Sequence, residues 1–241
     1  MGNKKSERAI REEAEMISAV ITCAGNHTRF GRDKLFSLLN NEPVFVRTIR
    51  QFTKAKEVDE VVVVVRRQSR AMIDKWLKKA KLKVKLVEGG RERYASAYKG
   101  VKASQGDYVL IHDGARPLVP VRLINKVARA ARKHKAVMAA VESTTCVKVI
   151  DPKSLEVKQC LEREKSWLGQ TPHGFKREII MKAYEKAIKG EIKGMDDCEL
   201  VRKTGVKVKI VPGEWTNKKI TLPTDLEIVR SWVKVVDKGK I

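Results

Sequence analysis

Met16-Ile17-Ser18-Ala19-Val20-Ile21-Thr22, followed by Cys23-Ala24-Gly25-Asn26-His27-Thr28-Arg29-Phe30-Gly31-Arg32-Asp33-Lys34, is the stretch that decides the fold. A short apolar run ends in a glycine-bearing, cationic loop, the form of a first strand opening onto a ligand loop. Gly25 and Gly31 admit backbone angles closed to other residues and let the main chain approach a ligand closely. Arg29 and Lys34 add a planar fork and a point charge. A polyphosphate fits that equipment. The spacing is neither G-x-x-x-x-G-K-[ST] nor G-x-G-x-x-G, so an ATPase P-loop and a nicotinamide site are both poor readings.

Outward from this segment, apolar runs of strand length recur at 61–65, 84–87, 108–111 and 137–141. Between them 44–52, 70–79, 94–102 and 121–133 place apolar or small residues three or four apart, the period of amphipathic helices. Strand and helix in alternation predict an α/β fold: a Rossmann-like, doubly wound, mostly parallel sheet. Ligands in such sheets bind beyond the carboxyl ends of the strands. Gly89-Gly90 and Asp113-Gly114-Ala115-Arg116 follow strands at that end. The alternation then breaks: 147–151 and 155–160 alternate apolar and polar residues around a proline-containing turn, predicting an inserted β-hairpin arm at about 142–166. A lone hairpin is marginal in water, and a second subunit is its simplest support. Helices near 176–188 and 196–203, a strand at 206–211 and a helix from Pro223 complete one domain over 15–236. Residues 1–14 read as a polar helical extension and 237–241 as a tail.

Forty-two per cent hydrophobic residues with 5% aromatics predict a Val, Leu, Ile and Ala core, as a buried parallel sheet requires. Fifty-two Lys and Arg against 29 Asp and Glu give a formal charge of +23, which favours polyanionic partners. A nucleic-acid-binding protein is the alternative from another class. It lacks support, because four tyrosines and five phenylalanines are scattered and interleave with no basic face. Cys23, Cys146, Cys160 and Cys198 show no C-x-x-C pairing, so they read as reduced thiols of a cytoplasmic protein. No apolar run has the length of a membrane span.

Five segments, in order, carry a resemblance. They are Ala24-Gly25 with Arg29 and Lys34; Gly89-Gly90-x-x-Arg93-x-x-Ser96; Ile111-His112-Asp113-Gly114-Ala115-Arg116-Pro117; Trp167-x-x-Gln170-Thr171-Pro172; and Asp196-Asp197 with Asn217-Lys218-Lys219-Ile220-Thr221-x-Pro223-x-Asp225-Leu226. From about 17 to 235 the chain resembles the 2-C-methyl-D-erythritol 4-phosphate cytidylyltransferases of non-mevalonate isoprenoid biosynthesis. The resemblance implies a homodimer clasped by the hairpin arm and a magnesium-dependent transfer of a cytidylyl group from CTP to 2-C-methyl-D-erythritol 4-phosphate, with Mg2+ held mainly by the CTP phosphates rather than by protein ligands. It implies Arg29, Lys34 and Lys219 as catalytic cations, and Ala24, Gly25, Gly90 and Ser96 around the nucleotide. Asp113 and Arg116 would face the polyol phosphate, with Thr145 and Arg163 reaching the site of the neighbouring subunit. Four positions depart from the family pattern. His27 replaces a second glycine, Asp33 a proline, Gly114 an alanine, and Met195 a threonine that often helps bind the substrate phosphate. A cytidylyltransferase acting on ribitol 5-phosphate shares the CTP motifs and is the nearest alternative.

Overall fold

The computed structural model describes residues 15–25, 34–90 and 92–237. Seven strands form the central sheet: β1 (Ile17–Cys23), β4 (Glu60–Val65), β5 (Lys85–Glu88), β6 (Tyr108–Asp113), β7 (Ala136–Glu142), β10 (Trp167–Lys176) and β11 (Lys209–Pro212). Their order is β11-β7-β10-β6-β1-β4-β5. From β1 the chain winds out through β4 to β5 and returns as β6 on the other side of β1, all parallel. That reversal beside β1 is where a doubly wound sheet opens a crevice for a ligand. Two short strands, β2 (Leu38–Leu39) and β3 (Glu42–Pro43), pair outside the sheet.

Period-two side chains explain why the inner strands are mostly apolar on both faces. Ile17, Ala19 and Ile21 of β1, Val61, Val63 and Val65 of β4, and Tyr108 and Leu110 of β6 pack in one cluster. It also holds α1 (Val44–Thr53), α2 (Arg70–Lys79), α4 (Val121–His134) and α7 (Pro223–Val236), through residues such as Phe45, Ile73, Leu123 and Val229. The intervening Val20, Val62, Val64, Val109 and Ile111 pack in the second cluster with α3 (Arg93–Ala103), α5 (Arg177–Ile188) and α6 (Asp197–Lys203). Both faces are thus covered, and each fully buried aliphatic side chain contributes about 1.5–3 kcal/mol of transfer free energy.

One expectation is corrected. The segment after the arm, given no strand by the sequence, is β10, which runs antiparallel between β6 and β7. Its register shifts between Gln170 and His173, where the Thr171-Pro172 peptide is cis. A proline cannot donate to a ladder and is tolerated in a central strand at such an irregularity. The strand predicted at 206–211 is the shorter β11, and the predicted hairpin is present as β8 (Lys148–Ile150) and β9 (Val157–Cys160), a separate two-stranded sheet.

Candidate active site

The carboxyl end of β6 delivers Asp113, buried but for one edge, into a group of three cations. Arg116 Nε donates to its Oδ2 at 3.1 Å, Lys219 Nζ lies 3.1 Å from Oδ1, and Arg93 reaches within 4.0 Å of Oδ1. Local chemistry explains the convergence. Gly114 N–H continues the β6 pairing by donating to Thr22 O at 3.0 Å, and the turn closes with Arg116 N–H on Asp113 O at 3.1 Å. The loop carrying Lys219 is then tied to this turn, since Ile220 N–H donates to Ala115 O at 2.9 Å and the Ile220 side chain is buried. Asp225, in the first turn of α7, accepts from the amides of Thr221 and Leu222 at 2.8 Å each and pairs with Lys218. Arg116 Nη1 donates to Asn217 O, and Asn217 Nδ2 donates to Thr171 O at 2.7 Å. Lys219 therefore leaves a rigid loop, not a mobile one.

Burial alone would raise the Asp113 pKa, but Lys219 first, then Arg116 and Arg93, outweigh it and hold the carboxyl well below the usual range. An ionised Asp113 is acceptor-only. Behind it lies a second charged centre. Asp197, fully buried, accepts from both terminal nitrogens of Arg93 at 2.9 and 3.0 Å, from Tyr184 Oη at 2.8 Å, and from His173 Nδ1 at 3.0 Å. Since an ionised carboxylate can only accept, His173 carries its proton on Nδ1. Burial opposes ionisation of Asp197, yet Arg93 and His173 hold it below the ordinary range, and Tyr184 is pushed up chiefly by its own burial. Arg93 is thus a strut between two carboxylates, and three cations against two acids leave excess positive charge at the cleft.

The nucleotide side is assembled from two loops. Ser96 Oγ accepts from Gly90 N and donates to Gly90 O, both at 3.1 Å, folding 89–90 over the start of α3. A side chain at Gly89 would meet Ala24 Cβ at 2.7 Å and Ser96 Oγ at 2.8 Å, so glycine is what lets the two loops touch. Arg66 donates to the carbonyls of Ala24 and Gly25, and Lys99 to that of Gly89 at 3.1 Å. An open depression of about 380 Å³ results, lined by Ala24, Arg66, Gly89, Gly90 and Lys99 among others. Its size and its mixture of backbone and cations suit a nucleotide.

The structure therefore brings together Ala24, Gly25, Gly90 and Ser96, and separately Asp113, Arg116 and Lys219. Lys34 opens a 3-10 turn (Lys34–Phe36) directly after the cationic loop. Arg29, with the departures His27 and Asp33, lies outside the described residues. Thr145 and Arg163 stand exposed at the two ends of the arm and bond to none of Asp113, Arg116 and Lys219. Met195 is 92% exposed, immediately before Asp196, which caps α6 by accepting from Glu199 N at 2.8 Å. Sequence reasoning missed the parts played by Arg93, Asp197, Tyr184, His173 and Asn217. Arg93, Asp197 and Asn217 stood in the quoted motifs, but a motif does not say which cation a buried acid will hold.

His112, beside Asp113, is fully buried against Phe52, and its Nδ1 lies 2.9 Å from the Thr171 hydroxyl that accepts the Asp113 amide. Burial pushes its pKa from 6.5 down to about 3. Between those values the unfolded chain binds the proton and the folded one does not. The stability from this group is therefore complete above pH 6.5 and is lost as pH falls toward 3. Melting curves between about pH 6.5 and about pH 5, above the range in which Asp113 and Asp197 take up protons in the unfolded chain, should show up to about one proton taken up on unfolding that His112→Asn removes. An unchanged slope in the variant would assign that uptake to another group.

Comparison with known proteins agrees with this geometry. Residues 17–234 match the family model described as 2-C-methyl-D-erythritol 4-phosphate cytidylyltransferase. Curated relatives with that name include one from Geobacillus thermodenitrificans (strain NG80-2), 37% identical over 213 residues, covering 86% of this chain and 92% of the relative. Another, from Syntrophus aciditrophicus (strain SB), is 34% identical over 232 residues, covering 93% and 98%. Among solved structures, the 4-diphosphocytidyl-2C-methyl-D-erythritol synthase of Anaerococcus prevotii DSM 20548 superposes with a TM-score of 0.81 at 32% identity, covering 91% of this chain and 99% of that one. The 2-C-methyl-D-erythritol 4-phosphate cytidylyltransferase of Thermus thermophilus gives 0.77 at 26% identity, covering 92% and 100%. A match that spans the sheet, both loops and the cation cluster around Asp113 places this chain in the 2-C-methyl-D-erythritol 4-phosphate cytidylyltransferase family.

Proposed function

We propose that the protein transfers the cytidylyl group of CTP to 2-C-methyl-D-erythritol 4-phosphate, releasing pyrophosphate and forming 4-diphosphocytidyl-2-C-methyl-D-erythritol for isoprenoid synthesis. The observation that carries this reading is the Asp113 cluster: one acceptor-only carboxylate among Lys219, Arg116 and Arg93, beside a glycine loop closed by Ser96. Two polyanions must meet there, and the excess of cations offsets their repulsion.

The attacking group is a phosphate oxygen, already anionic, so no base is needed and catalysis rests on positioning and charge. Gly90, Ser96, Ala24 and Gly25 hold the base and ribose through backbone groups. Lys219 moves from Asp113 toward the α-phosphate as charge develops there, and Lys34 with Arg29 steadies the triphosphate. Arg116 supplies charge to the incoming phosphate and Asp113 accepts its hydroxyls. Mg2+ would be held mainly by the phosphates of CTP and would supply further charge neutralisation there. The arm supports a homodimer, with Thr145 and Arg163 completing the partner's site. Among the described residues no helix is long and apolar enough to cross a membrane, and we place the enzyme in the cytoplasm.

Pyrophosphate release with CTP and methylerythritol, ribitol and erythritol phosphates tests the reading directly. Magnesium-dependent release with the first is expected; preference for ribitol 5-phosphate would overturn the substrate assignment. Asp113→Asn should retain CTP binding by calorimetry yet lose about ten- to a hundredfold in turnover, because a hydrogen bond to a charged group is worth about 1.5–3 kcal/mol. A loss confined to CTP affinity would move Asp113 to the nucleotide.

A further inference from the structure

Away from the cleft, the open end of the arm gathers two thiols and an ammonium. Lys148 sits opposite Cys160 across the β8–β9 pair, and Cys146 lies two residues before it on the same side. Lys148 Nζ is 3.2 Å from Cys146 Sγ and 2.9 Å from Cys160 Sγ, so the sulfurs lie within about 6 Å of each other. Both cysteines are free and exposed, whereas Cys23 and Cys198 are buried. Leu161 N–H donates to Val147 O at 2.9 Å and sets the register that makes Cys146 and Cys160 diagonal neighbours on one face. Such neighbours are about 7–8 Å apart at Cα, just beyond the span of a disulfide. Cys146 precedes β8 rather than belonging to it, which leaves its backbone free of the ladder and able to close that gap.

We infer that Cys146 and Cys160 form a thiol-exchange site that takes a low-molecular-weight disulfide of the glutathione type and ends as a bridge across the arm. One cysteine, as thiolate, attacks a sulfur of the small disulfide, whose S–S bond breaks and releases one thiolate. The second cysteine then attacks the protein sulfur of the mixed disulfide and expels the second thiolate. The two protein thiol protons finish on the two released thiols, and the protein pair is oxidised as the small disulfide is reduced. Lys148 stands where it neutralises the sulfur anion in either step. Its own ammonium is held above the usual lysine range, first by Cys160 and then by Cys146. The bridge would tie the arm's strands beside Thr145 and three residues before Arg163.

The test is to incubate the reduced, folded full-length protein with glutathione disulfide, alkylate, and map peptides without reduction. The expected product is an intrachain Cys146–Cys160 bridge, with Cys23 and Cys198 alkylated only after denaturation. Cys146→Ser and Cys160→Ser should each stop at a mixed disulfide on the remaining thiol, and Lys148→Gln should slow the first exchange several-fold. Mixed disulfides persisting on both cysteines, a bridge between chains, or no reaction in the folded protein would overturn the site. An unchanged rate in Lys148→Gln would overturn the part given to Lys148. None of these outcomes depends on which polyol phosphate the enzyme uses.

Discussion

Lys219→Ala is expected to lower kcat by about a hundred- to a thousandfold while leaving the KM for CTP and the melting temperature nearly unchanged. The Lys219 side chain is 36% exposed, and its ion pair is with Asp113. Without Lys219 the buried Asp113 carboxylate still pairs with Arg116 at 3.1 Å, so it is not left as an uncompensated charge. The Lys219 loop is held without this ion pair, by Ile220 on Ala115 and by Asp225 on Thr221 and Leu222, so the backbone should survive the change. What disappears is a cation that meets charge developing during transfer, which acts on the transition state and not on the bound nucleotide. Lys219→Arg keeps the charge but replaces a compact ammonium with a planar fork, so it should recover only part of the loss. Steady-state kinetics with matched melting curves decide the matter. A rise in the KM for CTP with unchanged kcat would make Lys219 a binding residue only.

The fold was legible where side chains alone dictate it. Ile17–Cys23, Glu60–Val65 and Tyr108–Asp113 are central strands buried on both faces, so they read as short runs dominated by apolar residues. β10 was not legible, because Trp167-Leu168-Gly169-Gln170-Thr171-Pro172-His173-Gly174-Phe175-Lys176 contains two glycines and a proline and neither alternates nor runs apolar. Its strand character comes from its neighbours, which supply partners on both edges. Even its glycine is tertiary in origin: a Cβ at Gly174 would meet Ala131 Cβ and Val137 Cγ2 at 2.9 Å each, so the residue admits the close approach of α4 and β7.

The site divides in the same way. Gly89-Gly90 with Ser96, and Asp113 with Arg116, lie close in sequence, and a short motif implies their contacts. Lys219 joins Asp113 from 106 residues away in the chain, and Arg93 binds Asp197 across 104. Only the order of segments in a family hinted at the first, and nothing local distinguishes Asp197 from Asp196 beside it. The difference is burial: Asp197 points into the second cluster and must find three donors, whereas Asp196 stays at the helix end and caps it.

The arm yields the other large effect, restoration of activity between two disabled chains. β8 and β9 hydrogen-bond as a sheet of two strands and leave Val149, Ile150, Leu155 and Val157 at 41, 42, 71 and 59% exposure. A sheet so small does not stand alone in water, and an apolar strip on it calls for a covering surface. If a second copy provides it, Arg163 of one chain serves the cleft that holds Lys219 of the other. Arg163→Ala and Lys219→Ala homodimers should then each be disabled, by about a hundredfold for the lysine. In a purified heterodimer of the two, one cleft combines an intact Lys219 with an intact Arg163 and the other has neither. Activity per dimer should return to about half that of the unmodified enzyme, as two-fold symmetry requires. With both residues acting in their own chain, each cleft would lack one of them and the heterodimer would stay at the level of its parents. Affinity purification on two different tags, followed by pyrophosphate release, separates these outcomes. Persistent inactivity in a confirmed heterodimer would return Arg163 to its own subunit or remove it from the reaction.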